Sequence, residues 1–241
     1  MRIFDTPDEA IAHLSTLDDP AGHQLEEFVE GPLLHADALV VEGIPQHATV
    51  STYSGRPVDF PAGVPLGSTQ VPVSGDHLDY IAAVVAALGI TVGAMHLEFF
   101  DTDRGFVFLE AANRVGGGGI IEAHRLHTGI HLPTHEIRVR LGLAAPDAEP
   151  ASGSYHAFVM FPPPDRSPGE LVAVVPDDLA RHPFVRAMHI NTARPHTNSD
   201  TTYQEWEVPL FVEAEHRSSE ELLGFVDDLL TRVRIDRRVA A

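Results

Sequence analysis

The sequence predicts an α+β protein built on antiparallel strand pairs, and three stretches carry that expectation. LLHADALVVEG and IPQHATVSTYS alternate apolar and polar residues on either side of a turn at Glu42 to Ile44. GAMHLEFF and FVFLEAA flank the polar turn cluster DTDRG, so a second hairpin spans Gly93 to Ala112. From Ser218 to Arg234 the apolar residues recur at helical spacing.

The other elements follow in order. Thr6 fits the cap of a helix running to about Leu17, with Pro7 at the first helical position and Glu9 in the capping-box place. HQLEEFVEG reads as a strand, and the proline- and glycine-rich segment from Gly55 to Pro72 as a long loop without regular structure. A helix follows from about Asp76 to Leu88, with Leu78, Ile81, Ala82 and Val85 on one face. Ile120 to Leu141 is helical with a break at Thr128 and Gly129, and Pro133 restarts it. APDAEPASG reads as a linker that divides residues 1–145 from a small α+β subdomain, residues 151–241. That subdomain has strands near Tyr155 to Phe161, Leu171 to Val175, Ala187 to Asn191 and Trp206 to Glu213, then the terminal helix.

Composition narrows the function. There is no run of eighteen apolar residues, and MRIFDTPDEA is neither a secretion signal nor a transit peptide, so a soluble cytoplasmic protein is expected. The absence of cysteine excludes disulfides and thiolate metal sites. A formal charge of −19 argues against nucleic acid or an anionic membrane as partner and leaves small molecules. All 16 basic residues are arginine. Any mechanism that needs a lysine must find it on another chain or do without.

The second hairpin carries the chemistry. Centred near Arg104, it sets Glu98 opposite Glu110 and His96 opposite Ala112, with all four side chains on one face. Opposed carboxylates destabilise a strand pair by roughly 0.2 to 1 kcal/mol, more when buried, unless a cation lies between them. Oxygen-only ligands favour Mg²⁺ or Mn²⁺ over zinc. The alternative is a solvated pair on an exposed hairpin. Arg114 and the run Gly116 to Gly119 follow at once, and glycine amides can approach an anion closely, so donors for a phosphate converge with ligands for a metal.

In sequence order, HQLEEFVEGPLLHADALVVEG, the segment ending in GVPLGS, MHLEFF and FLEAANRVGGGG resemble the nucleotide- and metal-binding half of the ATP-grasp carboxylate-amine ligases, over roughly Arg2 to Leu143. The resemblance implies a ligase that uses ATP and Mg²⁺ (or Mn²⁺) to join a carboxylate to an amine, or to a thiol, through an acyl phosphate. It implies that Glu98 and Glu110 hold the metal. It also implies that Arg114 is the catalytic contact to the phosphate or the substrate carboxylate. The resemblance further implies that Glu26, Glu27 and Val29 lie on a strand that reads the adenine edge and that Phe100 and Leu109 pack on the adenine face. Strict alternation turns Leu109 away from Glu110, a conflict that local twist must resolve.

The chain also departs from the family. Leu33 stands where many members have a ribose-binding glutamate, so that contact is either lost or falls to Asp37. Ala112 stands where relatives offer a third metal ligand, with Asn113 displaced by one residue. In the family an α/β domain and a lysine-bearing glycine-rich loop precede the segment that resembles RIFDTPDEAIAHL, so the first half of the ATP-grasp unit is expected to be missing. Two consequences follow from this. One is a non-catalytic nucleotide- and metal-binding remnant, or a subunit that depends on a partner. The other is a homodimer, or a partner supplying the missing half, through the surfaces left uncovered. Finally, His124, His127, His131 and His135 have the spacing of a zinc-binding helix face, although Thr128, Gly129 and Pro133 interrupt that helix.

Overall fold

The computed structural model describes residues 2–144, 147–165, 169–192 and 207–238. Thr6 caps α1 (Pro7–Leu14), its side chain accepting from the Glu9 amide, and the helix ends three residues before the expected Leu17. β1 (Leu33–Val41) and β2 (Ile44–Ser54) form the first hairpin. Its two-residue turn, Glu42–Gly43, has φ of +52° and +77°, the left-handed pair that matches the twist of the flanking strands. β3 (Leu66–Val71) precedes α2 (Gly75–Leu88), and β4 (Val92–Thr102) pairs with β5 (Gly105–Ala112). Then come α3 (Ile120–Thr128), α4 (Leu132–Arg140), β6 (Tyr155–Phe161), β7 (Glu170–Val174), α5 (Asp177–Ala180), β8 (Val185–Ile190), β9 (Leu210–His216), α6 (Ser219–Arg232) and β10 (Arg234–Arg238).

Among the described residues, eight strands make one antiparallel sheet in the order β5-β4-β1-β2-β3-β6-β9-β8, and β7 pairs with β10 separately. The sheet runs across the boundary expected between residues 1–145 and 151–241, because β3 pairs with β6. Two-residue alternation sorts its faces. On one face Leu34, Ala36, Met95, Leu97 and Phe99 pack against Ile81 and Val85 of α2, and Val159, Phe161 and Val212 pack against Leu222, Val226 and Leu229 of α6. On the other, Leu39 and Ala94 pack against Leu132 at the start of α4. That second face also carries His35, Asp37, Ser51, Ser68, Gln70, His96 and Glu98. No described helix is long and apolar enough to cross a membrane.

Several expectations change here. His23 to Gly31 joins no sheet, although HQLEEFVEG alternates like a strand. Leu25 and Phe28 remain 54 % exposed, and an alternating segment that buries neither face has little to hold a ladder. The Gly55 to Pro72 segment is not an irregular loop. It holds a 3₁₀ turn (Pro57–Ala62) and the central strand β3, whose polar Ser68, Thr69 and Gln70 are buried. The buried side of α2 runs through His77, Tyr80, Ile81, Val84 and Val85 while Leu78 is exposed, because Tyr80 and His77 pack with Phe99 and Phe106. The strand expected from Trp206 begins at Leu210, and Trp206 lies outside the described residues, as do Ala145 and Pro146 of the expected linker.

Candidate functional site

Glu98 and Glu110 are cross-strand partners and His96 is opposite Ala112, as expected, but the turn is centred between Asp103 and Arg104, with Thr102 opposite Gly105, rather than on Arg104. One step further Phe99 pairs with Phe108, which leaves Leu109 as the extra residue of a bulge. The bulge brings Glu110 to the cleft side with Glu98 while Phe108 opposes the core residue Phe99, and it does not bring Leu109 into the cleft.

The two glutamates have different surroundings. Glu98 has a largely buried side chain whose Oε1 accepts from Tyr53 Oη at 2.9 Å and lies 3.4 Å from His96 Nε2. Burial by itself would raise its pKa, but the hydrogen bonds from His96 and Tyr53 outweigh that and hold the carboxyl below its usual range. Glu110 is exposed.

Behind Glu98 lies a buried chain of polar groups. Asp37 is fully buried; its Oδ1 accepts from His96 Nδ1 at 2.9 Å and its Oδ2 from His35 Nδ1 at 2.7 Å, and His35 Nε2 is 2.8 Å from Ser68 Oγ. Burial opposes the Asp37 charge, yet His96 and the two imidazole hydrogen bonds hold its pKa far below the carboxylate range. For His96, burial likewise opposes the charge, and Asp37 and then Glu98 raise its pKa well above the ordinary value. The glycine run closes over this pair. A Cβ on Gly116 would lie 2.7 Å from Ile120 Cδ1, 2.9 Å from Asp37 Oδ1 and 3.0 Å from His96 Nδ1, so the close approach itself requires glycine.

A cleft of about 390 Å³ brings together His96, Glu98, Glu110, Arg114, Gly117 and Gly118 with an apolar wall that includes Leu66, Phe158 and Met160. Arg114 is exposed, its Nη1 donating to the Val115 carbonyl at 2.8 Å. Other candidates lie elsewhere. Glu26, Glu27, Val29, Phe100 and Leu109 do not line this cleft. The segment carrying the first three is tied to the hairpin: Arg104 Nη2 donates to Glu27 Oε1 at 2.9 Å and the Asp101 amide to the Pro32 carbonyl at 2.9 Å. Phe100, half-buried, is the partner of Leu33.

Asp37 is not a ribose contact, since it is sealed between two histidines. Asn113 is not placed as a metal ligand: Nδ2 donates to the Ala94 carbonyl at 2.8 Å and Oδ1 accepts from Arg140 Nη2 at 3.0 Å. The four helix histidines do not converge. His124 faces the Ile130 and His47 carbonyls, His127 the Ser154 carbonyl, His131 the Thr134 hydroxyl, and His135 the His131 carbonyl. Sequence reasoning missed the Asp37 chain. Its signal is the pattern His35-x-Asp37 and His96-x-Glu98 on adjacent strands, which puts four polar groups on one face.

Neither a protein-family model nor a curated protein matches the sequence. Solved structures do match. An L-amino acid ligase from Bacillus licheniformis aligns with TM-score 0.64 and 18% identity over 88% of this chain and 53% of its own. An N5-carboxyaminoimidazole ribonucleotide synthetase from Thermotoga maritima aligns at 0.62 and 13%, over 98% and 67%. A phosphoribosylglycinamide synthetase from Anaerococcus prevotii aligns at 0.61 and 14%, over 97% and 61%. These are ATP-grasp ligases, so the resemblance read from the sequence holds as a likeness of fold. The chain spans about half to two thirds of their lengths.

Proposed function

We propose that this chain is the nucleotide- and metal-binding part of an ATP- and Mg²⁺-dependent ligase that joins a carboxylate to an amine, or to a thiol, through an acyl phosphate. The observation that carries the reading is the Glu98–Glu110 pair facing a cleft shared with Arg114 and two glycines of the run. The donor set fits a hard divalent cation. It is oxygen only, and both hydrogen bonds to Glu98 fall on Oε1, which leaves Oε2 for Mg²⁺ or Mn²⁺ alongside the Glu110 carboxylate. When bound, the cation supplies neutralising charge to the phosphates.

In this reaction an oxygen of the acid attacks the γ-phosphorus of ATP and ADP leaves. The amine then attacks the acyl carbon and phosphate leaves. Arg114 holds the transferred phosphate or the acid, and the Gly117 and Gly118 amides are available to the developing oxyanion. No side chain has to act as a nucleophile. Glu26, Glu27, Val29, Phe100 and Leu109 are proposed for adenine. Support comes from the way Glu27–Arg104 and Pro32–Asp101 fasten that segment to the hairpin beside Phe100.

A second reading, a non-catalytic remnant or a partner-dependent subunit, is favoured by the absence of lysine. Its assembly would be a homodimer or a complex with a partner supplying the remaining ATP-grasp half, and the exposed Leu25 and Phe28 support such a contact. Assaying ADP release from ATP and Mg²⁺ with mixed carboxylates and amines separates the readings. Turnover by this chain alone supports the ligase; nucleotide binding without turnover supports the remnant; failure of both removes the nucleotide site. Light scattering reports the assembly.

A further inference from the structure

The cleft has a second end that phosphate chemistry leaves unused. Its acidic end stands on β4 and β5, while its apolar wall stands on β3 and β6, with β1 and β2 between them. At about 4.8 Å per strand, β4 and β3 are roughly 14 Å apart. Leu66 and Met160 are cross-strand partners, and Phe158 shares the Met160 face by alternation. Ile120 at the start of α3 and Val58 in the 3₁₀ turn complete the wall. Leu66, Ile120, Phe158 and Met160 belong to one buried cluster that includes Phe60 and Phe211, so the wall is backed by packed side chains.

Tyr53 joins the two ends. Its side chain packs against that cluster, while its hydroxyl donates to Glu98 Oε1 at 2.9 Å. Among the described lining residues the charged or titratable side chains other than Tyr53 are His96, Glu98, Glu110 and Arg114, all on the hairpin side. A charged substituent placed against Leu66, Phe158 and Met160 would lose its hydration without gaining a charged side-chain partner on that side among the described lining residues. The total volume, about 390 Å³, is in the range of small-molecule sites.

We infer that the acid accepted by this cleft carries an uncharged apolar substituent, branched aliphatic or aromatic. The substituent is seated on Leu66, Phe158 and Met160, and the carboxylate is turned toward Arg114. The acyl-donor role of that acid rests on the ligase reading; the pocket and its selectivity do not.

The test is equilibrium binding to the full chain by calorimetry or ligand-observed NMR, with L-leucine and 4-methylpentanoate compared against L-glutamate and glutarate. The apolar acids should bind at least tenfold more tightly. Two variants locate the site: Met160→Glu in the wall, and Val58→Asp at the rim, where the residue is 43% exposed. Each should cut apolar-acid binding at least tenfold, with circular dichroism reporting the fold. Equal affinity for the dicarboxylates, no binding of either class, or wild-type selectivity in a folded Val58→Asp protein would overturn the inference. Mg²⁺·ATP binding is measured separately. If nucleotide binds without acid selectivity, the pocket inference alone fails. If apolar acids bind selectively and Mg²⁺·ATP does not, the pocket stands and the ligase reading fails.

Discussion

Tyr53 Oη donates to Glu98 Oε1 at 2.9 Å, so one carboxylate of the opposed pair is held by a side chain of β2 on the same face of the sheet. Glu110, across the ladder, is exposed and its removal leaves that hydrogen bond in place. Glu110→Gln should therefore abolish Mg²⁺-dependent nucleotide binding while the protein stays folded. Titration calorimetry with ATP, with and without Mg²⁺, reads this. Unchanged binding in the folded variant would remove Glu110 from the metal site.

Asp37 is the anion on which two imidazoles converge, and no solvent reaches it. Taking away one member of a buried charge pair leaves the other uncompensated and typically costs about 3–5 kcal/mol. Asp37→Asn should lower unfolding free energy by about that amount in urea titration. A loss under about 1 kcal/mol would mean that His35 and His96 find other partners.

The hairpin was legible because DTDRG marks its turn locally, but the turn register, Thr102 opposite Gly105, would by alternation pair Glu98 with Leu109, and it is the bulge at Leu109 that sets Glu98 opposite Glu110. β3 was not legible. LGSTQV has too few apolar residues to announce a central strand, and its burial depends on groups brought from far along the chain: His35 against Ser68, and Ala123 and His156 against Gln70. His23 to Gly31 failed in the opposite sense, since its alternation is a local property and no buried surface takes up Leu25 or Phe28. The face of α2 shifted because aromatic neighbours on β4 and β5 draw in Tyr80 and His77. Local patterns read well where the turn or cap is local, and poorly where polar residues are buried by distant partners.

Gly116 belongs to the glycine run as a matter of space. Ile120 Cδ1 can yield, but Asp37 and His96 are fixed by each other, so a Cβ at 2.9 Å and 3.0 Å from them must displace the loop or the pair. Overpacking of this kind costs about 1–3 kcal/mol. Gly116→Ala should show that loss in thermal or urea unfolding. Gly75→Ala in the first turn of α2, where an added Cβ meets nothing within 4 Å, should be neutral or stabilising by up to about 1 kcal/mol. Equal stability of the two variants would show that the run is not sterically held.

Stability should fall on mild acidification because of His156. Its Nε2 is 2.7 Å from Ser152 Oγ, and its buried Nδ1 has no hydrogen-bond partner among the described residues. Burial lowers its pKa to about 4, with His127 of α3 and Arg186 of β8 adding to the effect, and Glu122 of α3 opposing it. Glu215 Oε2 of β9 lies 3.6 Å from Nδ1 on a side chain that is partly exposed. The folded pKa is thus below the unfolded value near 6.5, so between pH 6.5 and 4 the unfolded chain binds a proton here that the folded chain does not. The stabilisation is complete above pH 6.5 and is lost as pH falls toward 4, at about 1.4 kcal/mol per unit and about 3 kcal/mol in all. Urea unfolding of the wild type and of His156→Gln across this window isolates the effect, because other groups titrate in both proteins. The wild type should lose more stability than the variant between pH 6.5 and 4; parallel pH profiles would show that His156 takes up its proton without unfolding the chain.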